Sequence, residues 1–327
     1  MSKLRSNSRA SAPAKVILFG EHFVIYNNPA ILMSIDKRIL VNAQLISDHG
    51  IHILSEFQEP LRCTFSGGKL NKFDEVGKSP LFPICDAILR SIPDKIHDTG
   101  IEISIESDIP IGVGLGSSAA SCVATVAAVG NLFRNPDRRS ICLKAMESEA
   151  LIHKGSSGAD CFAATYGGMI YYIKNRGFNR VKSHEKLHLL LINTGVKHST
   201  WSMVSKVEDF KKQNISRFKE VCKRAYEICD KGRAALQSGD QEEIGILMNE
   251  NHKLLQTVGA SHEKVDELVE LCNKNGALGS KLTGAGGGGS VIALVKERDY
   301  YRFTLELIGR KYEALPVTID NIGLEIH

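Results

Sequence analysis

Apolar and polar residues alternate most cleanly at Ile101, Ile103 and Ile105, separated by Glu102, Ser104 and Glu106, the period-two pattern of a half-buried strand. Residues 15–19, 39–46 and 51–57 read as further strands, and 81–91 as a helix. The period then changes: Ser117 to Phe133 is rich in Ala, Ser and Val without proline, which suits a closely packed helix. A second helical stretch, 136–153, places Ile141, Ala145, Ser148 and Ile152 on one face, and a Gly-Ser loop at 155–158 leads to a strand at 169–173. The polar, glycine-containing segment 174–186 reads as the junction between a domain spanning 1–185 and one spanning 186–327. In the second half a strand at 187–192 precedes amphipathic helical stretches at 200–211, 214–237 and 241–274, the last broken near Gly259. Strands at 278–283 and 290–295, a helix at 298–309 and strands near 314–318 and 322–326 complete the chain. Strands interleaved with helices on one face predict an α+β sandwich for this half. Residues 1–12, polar and basic, read as a disordered lead-in and not as a secretory signal.

With 43% apolar residues, a chain of 327 residues can fill two domain cores. Its 41 basic and 37 acidic residues are interspersed and leave a net charge of +4, which argues against a nucleic-acid stripe or an acidic tail. No uninterrupted apolar run approaches the ~18 residues of a membrane span. Eight cysteines lack any Cys-x-x-Cys pair and read as reduced core residues of a cytoplasmic protein. Cys222 and Cys229, seven apart in a helical pattern, suit a core seam better than a metal site.

The chemistry concentrates in Pro110 to Ala119, Pro-Ile-Gly-Val-Gly-Leu-Gly-Ser-Ser-Ala. Gly112, Gly114 and Gly116, interleaved with Val113 and Leu115, join the 101–106 strand to the following helix, whose unpaired first-turn amides would face an anion. No lysine follows Gly116, so this is not a Walker loop. A second cluster, Gly284 to Gly289, matches Gly-x-Gly-x-x-Gly, but a strand-like run follows it where a dinucleotide fingerprint needs a helix. Phosphoryl transfer requires a phosphate cradle, hard oxygen ligands for a metal, a cation and a positioned nucleophile. Ser117 and Ser118 can supply a hydroxyl ligand or an N-cap; Glu149, beside Glu147, can supply a carboxylate or a solvated charge. Asp160, between a Gly-Ser loop and an apolar segment, suits a base or a cap. Lys15 lies in an apolar strand, where a lysine calls for a partner such as Asp160. His22 reads as a structural histidine as readily as a ligand.

Three segments together resemble the superfamily of galactokinases, homoserine kinases, mevalonate kinases and phosphomevalonate kinases, the GHMP kinases, along nearly the whole chain. Ala12-Pro-Ala-Lys-Val-Ile-Leu-Phe-Gly-Glu-His22 looks like the first family motif, Pro110 to Ala119 the second, and Lys281-Leu-Thr-Gly-Ala-Gly-Gly-Gly-Gly-Ser290 the third. The resemblance implies a two-domain α+β fold, with an N-terminal domain like ribosomal protein S5 domain 2 and a ferredoxin-like C-terminal α/β sandwich. It implies Asp160 as catalytic aspartate paired with Lys15, Ser118 and Glu149 as Mg²⁺ ligands, and Gly112 to Ser118 around the triphosphate of ATP. Gly284 to Gly288 would form the far wall, and His22, Thr200, Gly284 and Ala285 would approach the acceptor. Gly20-Glu21-His22 followed by Phe23-Val24, without the Asp-Tyr pair of sugar kinases, is most similar to the branch that phosphorylates the 5-hydroxyl of mevalonate. Phosphomevalonate or another small acceptor is the alternative within the enzyme class, and an inactive sensor the alternative outside it. Ala14, Lys154-Gly155-Ser156, His198 and Trp201 depart from the family pattern. The implied partners are ATP and the small-molecule acceptor, with no nucleic acid or membrane; the apolar clusters of the C-terminal helices suit a homodimer or a core equally.

Overall fold

The computed structural model describes residues 5–48, 50–56, 58–66, 69–70, 79–93, 100–110, 113–133, 136–151, 157–196 and 200–327. In chain order its strands are β1 (Asn7–Phe19), β2 (Pro29–Ile46), β3 (Ile51–Ser55), β4 (Gln58–Cys63), β5 (Phe65–Ser66), β6 (Lys69–Leu70), β7 (Gly100–Ser107), β8 (Met169–Ile173), β9 (Gly177–Val181), β10 (Leu189–Asn193), β11 (Gly279–Thr283), β12 (Ser290–Leu294), β13 (Ala314–Val317) and β14 (Glu325–Ile326). Its helices are α1 (Phe82–Leu89), α2 (Ser117–Phe133), α3 (Arg138–Glu149), α4 (Ala159–Tyr166), α5 (Thr200–Gln213), α6 (Ile215–Ser238), α7 (Gln241–Thr257), α8 (Glu263–Lys274) and α9 (Tyr300–Gly309). Among the described residues no helix is long and apolar enough to cross a membrane.

The first sheet runs β14-β1-β2-β7-β3-β4, and β2 is long enough to pair β8 through Pro29–Met33 and β7 through Ile39–Ile46. Helix α2 packs against β1 and β2. Its side chains are buried all round from Ala119 to Phe133, which explains a composition of small residues with almost no charge. The second sheet, β11-β12-β10-β13, is antiparallel throughout, with α7 and α8 packed on β11. The last strand, β14, returns to the first sheet and pairs β1 at Ala10 and Ser11.

One expectation is corrected. The segment read as a disordered lead-in is ordered from residue 7 onward, because Ser8, Ala10 and Ala12 alternate inward against exposed Asn7 and Arg9. Side chains this small leave almost no hydropathy signal, yet they seat β1 against β2 along its length. The polar segment 174–186 contains β9, which hairpins onto β8; Asn175 at positive φ makes the turn. The expected break near Gly259 divides the 241–274 stretch into α7 and α8, whose N-termini are capped by Asp240 and His262 accepting from the Glu243 and Lys264 amides. Residues 152 and 153 of the predicted 136–153 helix lie outside the described residues.

The seat of α7 on β11 is closest where glycines meet: a Cβ on Gly245 would lie 2.4 Å from the Leu278 carbonyl oxygen. Alanine in a helix interior normally gains about 1 kcal/mol over glycine. Gly245→Ala should instead destabilise by ~1–3 kcal/mol through overpacking. Urea unfolding decides the sign, and a gain would show that α7 is not pressed onto β11.

Candidate active site

The glycine-rich loop lies against β1. The Lys15 amide donates to the Leu115 carbonyl at 3.0 Å, and Lys15 Nζ donates to the Gly114 carbonyl at 3.3 Å. Lys15 Nζ also stands 3.2 Å from Asp160 Oδ2, with the lysine 4% and the aspartate 27% exposed. Strand β1 thus holds the cation still while the carboxylate keeps an open side. Asp160 is the second residue of α4, behind Gly158 at the cap, so it does not serve as that helix's cap. Likewise Ser117 and Ser118 are the first two residues of α2, and Gly116 accepts the Ala120 amide at 3.0 Å from the capping position. The first-turn amides of α2 therefore point toward the loop, with the positive end of the helix dipole behind them.

Backbone shape lets the segments around the glycine loop approach one another closely. Gly116 sits at φ +75°, and a Cβ there would lie 2.8 Å from Lys15 Cε. Gly284 sits at φ +86°, where a Cβ would lie 2.7 Å from the Gly114 carbonyl oxygen. Both positions require left-handed backbone and close approach, which glycine alone supplies without strain. Lys15, His22, Val113 to Ser118, Glu149, Asp160, Thr200, Gly284 and Ala285 line one cleft of about 620 Å³. Gly112 lies outside the described residues, as do Lys154, Lys197 and His198.

Glu149, the last residue of α3, is 6% exposed and faces the cleft, whereas Glu147 is 60% exposed and pairs with Arg90. Of the two neighbours, Glu149 lines the cleft and Glu147 does not. Among the described residues no group of three or more His, Cys, Asp or Glu gathers into a metal cage. Ser118 and Glu149 line the same cleft, and a hydroxyl and a carboxylate are hard-oxygen donors of the type that suits Mg²⁺ held mostly by phosphates and water.

Sequence reasoning missed the structure beneath the cleft. Glu21 and Lys281 are both fully buried and form an ion pair. Lys281 Nζ also donates to the Leu282 carbonyl at 2.6 Å and to the Ile17 carbonyl at 3.3 Å, and Asn251 Nδ2 donates to Glu21 Oε2 at 3.0 Å. Burial pushes the Glu21 carboxyl up and the Lys281 ammonium down, and the attraction between them opposes both shifts. The available signal was a lysine inside a predicted strand, a weaker form of the argument that singled out Lys15, because β11 reads Gly-Ser-Lys-Leu-Thr. His22, at φ +59°, reaches the Ala285 carbonyl through Nε2 at 2.7 Å. A carbonyl only accepts, so Nε2 carries the proton; burial lowers the ring's pKa and leaves Nδ1 as an acceptor. Thr200 and Trp201, 68% exposed, open α5 at the cleft rim. Tyr26 donates to Glu208 Oε2 at 2.9 Å along the same wall.

A glycine-rich loop opening a helix beside a lysine–aspartate pair suits the transfer of a phosphoryl group to a small molecule, and the chain belongs to the GHMP kinases. The profile for the GHMP kinases N terminal domain matches residues 83–168, and that for the GHMP kinases C terminal matches residues 233–308. Among its relatives, the mevalonate kinase of Pyrococcus furiosus is 37% identical over 301 residues, covering 88% of this chain and 89% of the relative. That of Aeropyrum pernix is 33% identical over 332 residues and covers 99% of each chain. The crystal structure of L. major mevalonate kinase in complex with R-mevalonate superposes with a TM-score of 0.80 at 27% identity, over 98% of this chain and 99% of that one. The Methanococcus jannaschii mevalonate kinase gives the same TM-score, identity and coverage.

Two stability experiments follow from the buried charges. Lys281→Met leaves Glu21 buried without its cation and should cost ~3–5 kcal/mol, whereas Glu21→Gln with Lys281→Met should recover much of that loss. Equal denaturation midpoints for the single and double variants would show that the pair is not coupled. His252 accepts the Leu282 amide on Nδ1 at 3.4 Å and meets Asp266 Oδ1 through Nε2 at 3.0 Å. Burial, partly opposed by Asp266, lowers its pKa to about 4. A depressed histidine pKa means that the unfolded chain takes up the proton first, so this contribution is complete above about pH 6.5 and is lost as pH falls toward 4. It should amount to roughly 3 kcal/mol. Guanidinium titrations across that window should fall more steeply for the parent than for His252→Gln.

Proposed function

We propose that the protein is a mevalonate kinase, transferring the γ-phosphoryl group of ATP to the 5-hydroxyl of mevalonate. The observation that carries this reading is the Lys15–Asp160 pair at 3.2 Å, set between the glycine loop and the cleft lined by His22 and Thr200. Asp160 orients the acceptor hydroxyl and takes its proton. Lys15, fixed by β1 and the Gly114 carbonyl, places positive charge where the attacking and transferred oxygens meet. The first-turn amides of α2 stabilise the β- and γ-phosphates. Ser118 and Glu149 would hold Mg²⁺, which when bound neutralises charge on the phosphate oxygens. His22 offers Nδ1 as an acceptor to the substrate's hydroxyl groups, and Thr200 offers a hydroxyl from the opposite rim.

The charge of the cleft favours an unphosphorylated acceptor. Its described lining holds the carboxylates of Glu149, Asp160 and Glu208, and one lysine already engaged by Asp160. A second phosphoryl group on the acceptor would find no free lysine or arginine among these residues. The presence of Lys15, Ser118, Glu149 and Asp160 around one cleft favours an enzyme over a ligand sensor. A cytoplasmic setting agrees with eight cysteines that are all free thiols.

ADP release with ATP and Mg²⁺ should be confined to mevalonate in a panel that adds 5-phosphomevalonate, homoserine and galactose. Preference for phosphomevalonate would move the enzyme to another acceptor, and silence on all four would overturn the kinase reading. Asp160→Asn should lower kcat by about 10²–10⁴, with nucleotide affinity retained in a fluorescence titration.

A further inference from the structure

Glu149 reaches the cleft from an unfavourable position. It ends α3, Glu147 lies two residues before it, and the last turn of the helix carries no basic residue. Carboxylates there oppose the negative end of the helix dipole. The sequence of α3 alone therefore does not stabilise the terminus that presents Glu149.

The missing cation comes from α1. Arg90, the residue that closes α1, forms ion pairs with Asp86 one turn earlier and with Glu147 of α3. Asp86 Oδ2 in turn accepts from the buried Ser148 hydroxyl at 2.6 Å, and Ser148 Oγ also lies 3.2 Å from the Lys144 carbonyl. Successive helix positions project ~100° apart, so residues two apart face nearly opposite sides. With Glu147 drawn to Arg90 and Ser148 tied to Asp86, Glu149 is directed away from α1 and into the cleft. Neither Asp86 nor Arg90 lines that cleft.

We propose that Asp86 and Arg90 are positioning residues for the metal–nucleotide site, holding the α3 terminus so that Glu149 can ligate the metal. The proposal rests on Glu149 being a metal ligand, and its test separates the two ideas. Binding of Mn²⁺ in the presence of ATP, followed by electron paramagnetic resonance of the full-length protein, is the readout. Outer groups that orient a ligand typically govern metal affinity by ~10–100-fold. Asp86→Ala and Arg90→Met should weaken Mn²⁺ binding by about 10-fold, raise the KM for metal–nucleotide and leave kcat at saturating metal close to the parent value. Arg90→Lys, which keeps the charge, should recover part of the loss. Where Asp86→Ala does not fold by circular dichroism, Ser148→Ala removes the hydroxyl bond alone and should shift Mn²⁺ affinity in the same direction. Unchanged Mn²⁺ affinity in folded variants would overturn the positioning role, as would a fall in kcat without a change in metal affinity. If Glu149→Gln binds Mn²⁺ like the parent, the ligand reading itself fails; if that variant alone loses the metal, the ligand stands and the positioning role falls.

Discussion

A lysine ammonium with no solvent access lies where the first and last glycine-bearing segments of the site meet. Lys281 directs its donors to Glu21 and to the carbonyls of Ile17 and Leu282, so its charge is answered on every side by β1, by the turn after β1 and by its own strand. Desolvating such a pair costs several kcal/mol per ion, which its mutual attraction repays only when the geometry is complete. Sliding β1 past β11 would leave a full charge buried without its partner. Next to the pair, Thr283 Oγ1 accepts the Ile17 amide at 2.9 Å and Asn251 Oδ1 accepts the Gly20 amide at 3.2 Å. The register of β1 against β11 is thus specified by polar groups, and on that register depend both Lys15, two residues before Ile17, and Gly284, the residue after Thr283.

From that seam the site grows outward through backbone contacts. The Lys15 amide and ammonium both bond the 113–116 loop, and Gly284 approaches the Gly114 carbonyl from the opposite side. The loop is clamped between segments from the two ends of the sequence, so the cradle depends on both halves of the chain being folded. A similar economy holds at α3, where a helix with an unfavourable terminus borrows a cation from α1.

Much of this was legible in the sequence, for reasons that also mark where reading stops. Period-two alternation found β7, the small-residue run found α2, and glycines at alternate positions found the cradle, because each signal is local. Lys15 and Asp160 were paired by chemistry: a lysine in an apolar strand needs a counter-charge, and a carboxylate after a glycine-rich loop was available. The first half of β1 escaped because Ser8, Ala10 and Ala12 are too small to register as an apolar face, although they are buried. The Glu21–Lys281 pair escaped because its members lie 260 residues apart and the strand holding Lys281 was read for its glycines. Which of Glu147 and Glu149 faces the cleft was open to no local rule, since Glu147 pairs with Arg90 on another helix.

The charge balance of the cleft says what kind of phosphate site this is. Three carboxylates and one engaged lysine, in the described lining, would repel a nucleotide triphosphate if side chains alone received it. Among the described residues the counterweight is the backbone amides and the dipole of α2. Gly116 and Gly284, at left-handed angles with no space for a Cβ, let the loop close on Lys15 and let the segment after β11 close on the Gly114 carbonyl. The tightness of the loop rests on that close approach, and the buried Glu21–Lys281 pair joins the β1 and β11 segments that make it.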